Sequence, residues 1–171
     1  MKLVITALSA TLLAVPAAFA EGNLELGAGY SHVDTDGANL DALTARGTWF
    51  VNRNVGPQIG IEGEASFGIG DDDIGGAKAE LDHSVAGFGV VQAPVSERVD
   101  LFARVGYADS EYKVKVPGVG SASDSTDGVA YGAGAKVFLT DRFGLRGDLT
   151  RYEGDHGADA DVISVGGVMK F

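Results

Sequence analysis

The chain is 171 residues long, enough for one domain, and contains no cysteine, so disulfides cannot hold it and a hydrogen-bonded fold must. Its 24 acids against 13 lysines and arginines give a net charge of -11, the wrong sign for a nucleic-acid partner. The 26 glycines are dispersed among apolar residues, which argues against a low-complexity or disordered chain.

Lys2 is followed by an apolar run from Leu3 to Val15 and by Ala18-Phe19-Ala20, the three-part pattern of an export leader cut after Ala20. The run is shorter than the about 20 residues of a spanning helix and Pro16 interrupts it. Residues 1–20 are therefore expected to be a cleaved signal peptide and 21–171 the mature domain, with charge -12 once Lys2 is lost.

From Asn23, NLELGAGYSHV alternates, with Leu24, Leu26, Ala28 and Tyr30 on one face. After the polar DTDGAN, LDALTARGTWFV sets Leu43, Ala45, Trp49 and Val51 against Thr44, Arg46 and Thr48, and ends at the turn NRNVGP. QIGIEGEASFGIG then places Ile59, Ile61, Ala65, Phe67 and Ile69 opposite Glu62, Glu64 and Ser66. A period of two is a strand and not an amphipathic helix. Beyond the acidic DDDIGGAK, the next strand is read with Ala86, Phe88 and Val90 outward and Gly87 and Gly89 inward; this register could slip by one. APVSER turns into VDLFARVGYA, with Leu101, Ala103, Val105 and Tyr107 on one face, and a long polar connection is expected from Asp109 to about Asp127. GVAYGAGAKVFL, the turn TDR, FGLRGDLTRY and the polar EGDHGADA lead to DVISVGGVMKF, where Ile163, Val165, Met169 and Phe171 share a face.

These are eight strands of about ten residues, the length a tilted strand needs to cross a bilayer. Compact turns alternate with longer, more acidic connections, as in a barrel with short turns on one side and external loops on the other. The expected fold is all-β: an eight-stranded antiparallel up-and-down transmembrane β-barrel. Mid-strand charges then belong inside. Glu25, Arg46, Glu62, Glu64, Arg104, Lys136, Arg146 and Asp148 all fall on the inner face, four of each sign, and unpaired charge there would be costly. Cross-lumen salt bridges are expected, foremost Glu62 and Glu64 with Arg46 and Arg104. The outward aromatics are Tyr30, Trp49, Phe67, Phe88, Tyr107, Tyr131, Phe143 and Phe171, with Arg151 on the outer face beside an external loop.

The surplus acid lies in the external connections and their shoulders, where only Lys78, Lys113 and Lys115 oppose it. Asp34, Asp36, Asp71, Asp72 and Asp73 are candidate oxygen ligands for a divalent cation bridging to lipopolysaccharide phosphates, since hard cations take carboxylates. DTDG is only a weak calcium-loop match, because Ala45 stands where the ligating Glu should be.

IGIEGEASFG, LFARVGYA, GLRGDLTRY and the terminal aromatic strand resemble the small outer-membrane β-barrel proteins of OmpA-like and OmpX-like type. The resemblance spans the mature chain. It implies a Gram-negative outer-membrane location, outer-membrane lipid, lipopolysaccharide and the barrel assembly machinery as partners, no cofactor, and a monomer. It also implies that the last strand, through Ile163, Val165, Met169 and Phe171, is an assembly signal. The peptidoglycan-binding domain of OmpA-like proteins has no counterpart here, and the basic loops of a heparin-binding adhesin are missing. A non-enzymatic structural or surface-interaction barrel is the leading reading. The alternatives are a narrow ion-conducting pore, a soluble ligand-binding barrel, and a lipid A-modifying acyl-transfer or deacylase enzyme using His32, His83 or His156 with Ser31, Ser84, Ser110 or Asp109.

Overall fold

The computed structural model describes the backbone at residues 23–35, 39–51, 56–69, 71–74, 77–116, 120–154 and 159–171, and the side chains of these apart from 71–81 and 112–125. The expected leader, 1–20, and the candidates Asp36 and His156 lie outside the described residues.

The strands are β1 Leu24–Thr35, β2 Asn39–Phe50, β3 Gln58–Gly68, β4 Asp71–Ile74, β5 Ala77–Pro94, β6 Val99–Val116, β7 Gly120–Phe138, β8 Phe143–Gly154 and β9 Asp159–Lys170. They pair antiparallel in the order β3-β2-β1-β9-β8-β7-β6-β5, and β3 also pairs with β5. Eight strands therefore close into a barrel that leaves no sheet edge. The four-residue β4 lies against the start of β5, with Asp71 opposite Glu80 and Ile74 opposite Ala77.

Closure runs through the β1–β9 seam, where Phe171 N donates to Leu24 O at 2.9 Å. Gly29 and Gly166 are directly opposed there, and a Cβ on either would lie 2.7 Å from the other's Cα. The strands can approach this closely only where both residues lack a side chain. The turns after β5 and β7 are tight, with Val95 N donating to Val99 O at 2.9 Å and Leu139 N to Phe143 O at 2.9 Å. The connection after β2, expected to be compact, is longer, running over residues 51–57 between strand ends joined by Val51 N donating to Ile59 O at 2.8 Å. Gly56, at φ 70°, takes the left-handed conformation that glycine tolerates without strain, just ahead of β3.

The two faces are inverted relative to a water-soluble barrel. Ile61, Val105, Leu149 and Val165, on four different strands, point outward and are more than half exposed, while Glu25, Arg104 and Lys136 are buried. Such a surface is stable against hydrocarbon and not against water. Among the described residues no helix is long and apolar enough to cross a membrane; the crossing is made by strands.

Two expectations are corrected. Phe88 and Val90 face the lumen, 4% and 2% exposed, whereas Val85 and Val91 face outward at 49% and 51%. Pairing fixes this parity, since Gly89 lies opposite outward Ile61 and Gly87 opposite outward Tyr107. The physical reason is that the Phe88 ring covers a guanidinium inside the barrel, with Arg104 Cζ 4.3 Å from its centroid. The second correction concerns the polar stretch from Asp109 to Asp127. It is strand and not loop: β6 continues to Val116 and β7 starts at Gly120, with Glu111 opposite Ser125 and Val114 opposite Ala122. DDDIGGAK is likewise mostly β4 and the beginning of β5. β5, β6 and β7 thus reach 18, 18 and 19 residues, against the about 9–11 that cross a bilayer. The rungs in excess of that length need no apolar side, because a strand beyond the hydrocarbon is not held to the alternation that lipid imposes.

Candidate functional site: a charged lumen and an acidic rim

Period-two strands aim every second side chain into the lumen, and eight strands enclose a width that side chains can fill. At mid-height three arginines from β2, β6 and β8 meet three acids from β3 and β8. Arg104 is the hub: Nη1 lies 2.9 Å from Glu62 Oε1 and 2.6 Å from Glu64 Oε2, and Nη2 lies 3.0 Å from Asp148 Oδ2 and donates to Thr150 Oγ1 at 2.6 Å. Arg146 holds Glu62 with both terminal nitrogens, at 2.6 and 3.1 Å, and Asp148 Oδ1 through Nε at 2.8 Å. Arg46 Nε donates to Glu64 Oε2 at 2.6 Å and its Nη2 to Ser164 Oγ at 2.9 Å. Thr48 Oγ1 and the Tyr152 hydroxyl take further lone pairs of Glu62 and Glu64, at 2.6 and 2.8 Å. Of the four pairs expected between Glu62 or Glu64 and Arg46 or Arg104, three are in contact; Arg46 instead uses its second arm toward Asp148, at 3.8 Å.

A second layer lies nearer the tight turns. Lys136 Nζ binds Glu25 and donates to Gln92 Oε1 at 2.6 Å, Gln92 donates to Asp100 at 2.9 Å, and Lys170 Nζ is 3.3 Å from Asp100. Across both layers Arg46, Arg104, Arg146, Lys136 and Lys170 balance Glu25, Glu62, Glu64, Asp100 and Asp148. Four phenyl rings cover the cations: Phe88 on Arg104, Phe102 on Arg146, Phe50 beside Lys136, and Phe138 on Lys170 at 3.4 Å. Buried ions are tolerable only when paired and fully hydrogen-bonded, and this lumen supplies both conditions. Above the arginines lie a hydroxyl ladder, Ser164–Ser31–Thr44–Ser66, with steps of 2.8, 2.7 and 2.8 Å, and a cavity of about 30 Å³ bounded by Glu64, Ser84, Ser110 and Tyr152, room for roughly one water.

Tyr152, Gln92, Asp100 and the covering phenylalanines were not among the residues singled out for the network. Tyr152 was accessible from the parity of β8, two steps beyond Thr150; its partner Glu64 was not, because cross-lumen contacts join strands far apart in sequence.

On the outside, tyrosines near the external end each donate to a carboxylate on the adjacent strand. Tyr30 binds Asp41, Tyr107 binds Asp127, and Tyr131 binds Glu153 at 2.7 Å. In all three the acid sits diagonally, two residues nearer the external end than the residue opposite the tyrosine. A phenol suits this boundary, with its ring against apolar chains and its hydroxyl among polar groups. Arg151, placed on the outer face by the alternation of β8, is clamped by Asp159 at 2.9 Å and Asp161 at 2.8 Å.

The remaining candidates are dispersed. Asp34 is exposed on the outer face of β1, and Asp71, Asp72 and Asp73 form the backbone of β4, where their side chains lie outside the described set. Ser31 and Ser84 face the lumen, hydrogen-bonded to Thr44 and Ser110, while His32 lies outside with Nδ1 2.8 Å from Asp41 Oδ1. Adjacent residues of a strand point to opposite faces, so Ser31 and His32 do not meet. Ile163 and Val165 are outward and exposed, and Met169 and Phe171 follow on the same face, half-buried.

The family model described as outer membrane protein beta-barrel domain matches residues 4–171. No curated protein matches the chain. Among solved structures it is similar to Ail, the attachment invasion locus protein of Yersinia pestis (17% identity, TM-score 0.64, covering 87% of this chain and 97% of that one). It is also similar to Neisserial surface protein A (11%, 0.63, 86% and 97%) and to the N-terminal β-barrel domain of Pseudomonas aeruginosa OprF (11%, 0.63, 88% and 98%). At these identities the likeness is one of fold.

The network makes a quantitative prediction. Arg104→Ala leaves Glu62, Glu64 and Asp148 one positive charge short in a buried site and should cost about 3–5 kcal/mol of unfolding free energy. Arg151→Ala, in an exposed ion pair, should cost at most about 1 kcal/mol. Urea unfolding in lipid vesicles, followed by the fluorescence of the single tryptophan, Trp49, measures both, and equal losses would contradict the assignment.

Proposed function

The chain belongs to the outer membrane protein beta-barrel domain family, and from that membership we propose that it serves as a non-enzymatic structural and surface-interaction barrel whose acidic rim is bridged to lipopolysaccharide by divalent cations. It is an integral protein of the outer membrane. The observation that supports the rim's role is where carboxylates remain after the lumen has balanced its own: Asp34, Asp41, Asp109, Asp127, Glu153 and Asp161 stand on outward positions at the external ends of β1, β2, β6, β7, β8 and β9. At that height they meet lipid phosphates of like sign, and a cation with oxygen ligands converts the repulsion into attachment. The Yersinia pestis Ail barrel has been seen in complex with sucrose octasulfate, a heparin analogue; a polyanion of that kind is disfavoured at this rim unless cations intervene.

The last strand carries a second proposal. Ile163, Val165, Met169 and Phe171 form an outward apolar stripe that includes an aromatic ring, a pattern suited to recognition by the barrel assembly machinery before the β1–β9 seam closes. Phe171→Asp should lower the folded surface population several-fold while Asp34→Asn leaves it intact; normal surface levels of Phe171→Asp would refute it.

For the rim, calcium together with lipopolysaccharide should raise the unfolding temperature of the detergent-refolded protein, with EDTA reversing the gain. The triple variant Asp41→Asn, Asp127→Asn, Glu153→Gln should lose most of it. Identical melting with calcium and with EDTA, or an unaltered response in the triple variant, would sink the bridging reading.

A further inference from the structure

The pairing of β5 with β6 slips once. Leu81 lies opposite Tyr112 and His83 opposite Glu111, leaving Asp82 as an extra residue. A β-bulge of this kind sets two residues of one strand against one of its partner and re-aims a side chain. In a regular strand Asp82 and His83 would point to opposite faces. Here the Asp82 carboxylate, the His83 imidazole and the Glu111 carboxylate converge, each offering a ligand atom within 4.8 Å of the others, and all three residues are half-buried. His83 Nδ1 is 3.3 Å from Asp82 Oδ2. That is long for a charge-assisted hydrogen bond. It matches the about 3.3–3.5 Å between donors of a tetrahedral ion with metal–ligand bonds of about 2.0–2.1 Å.

From this convergence we infer that the bulge is a binding site for a divalent transition-metal ion of the zinc class, held by Asp82, His83 and Glu111. The imidazole decides the metal class. Calcium and magnesium take oxygen ligands, whereas one imidazole with two carboxylates is a zinc-type donor set. Glu111 needs to move by only about the difference between 4.8 Å and the donor spacing to complete it. Three protein ligands leave a tetrahedral ion one open position. His83 also lies opposite Phe67 on β3, whose ring is exposed on the lipid-facing side, so the site stands at the upper margin of the apolar belt, where the open position can accept an anionic oxygen. The site is independent of the bridging of the rim to lipopolysaccharide.

The test is calorimetric titration of the detergent-refolded full-length mature protein with Zn²⁺ alone, without lipid or chelating buffer. One Zn²⁺ per chain is expected. His83→Ala and Glu111→Gln should each weaken it by more than the 10–100-fold that even the loss of an outer-shell partner costs, whereas His32→Ala and His156→Ala should bind as the parent does. Folding of each variant is checked by its electrophoretic shift before and after boiling. Absence of binding, binding undiminished in His83→Ala, or binding lost equally in His32→Ala or His156→Ala would each overturn the inference. Mg²⁺ at the same concentrations should fail to compete, and displacement of Zn²⁺ by Mg²⁺ would also count against it.

Discussion

The structure depends on one electrostatic constraint: charge carried through a membrane must be neutralised inside the barrel. Arg104 shows how this is met, because its guanidinium reaches Glu62, Glu64 and Asp148 at once and so ties β6 to β3 and β8 across the lumen. A buried ion deprived of its partner carries a desolvation cost of several kcal/mol, and well-made pairs do little more than offset it. The network therefore acts less as a source of stability than as a condition of closure: a one-residue register slip would move these side chains to the lipid face, where they are far costlier. The same constraint explains the ladder of serines and threonines above the arginines and the phenyl rings beside the cations. Each fills space without adding charge.

Among the described residues the interior charges pair with one another, and further carboxylates stand on the outer surface. The outer surface is divided by height. An apolar belt from Ile61, Val105, Leu149 and Val165 gives way to tyrosines, and these give way to carboxylates that accept hydrogen bonds from the tyrosine hydroxyls. The order follows from the bilayer, whose polarity rises over a few ångströms at its margin. Beyond it, β5, β6 and β7 continue as strand, so the external face is built on a projecting sheet as well as on connections.

Much of this was legible in the sequence because the membrane enforces a strict alternation. QIGIEGEASFGIG and FGLRGDLTRY betray their inner faces through Glu62, Glu64, Arg146 and Asp148, since a charge at mid-membrane height can lie only on the inner side, whereas Arg151 stands outward at the external end. Where no charge marks a face, the reading fails. In the β5 stretch around Gly87 and Gly89 nothing polar separates inside from outside, and the bulky Phe88 was assigned to lipid when its ring instead covers Arg104. The strand extensions were missed for a related reason, because beyond the bilayer a strand needs no apolar face. YKVKV does alternate there, which was the available clue. The bulge at Asp82 was invisible, as an inserted residue reverses the parity that any periodic reading assumes.

The central claim is that ion pairs centred on Arg104 close the lumen, and planar-bilayer recording addresses it directly. The parent protein should give no stable conductance steps, while the double variant Arg104→Ala, Glu62→Ala, which removes opposite charges together, should open discrete small steps. Stable steps from the parent, or a double variant as silent as the parent while demonstrably folded, would contradict the account.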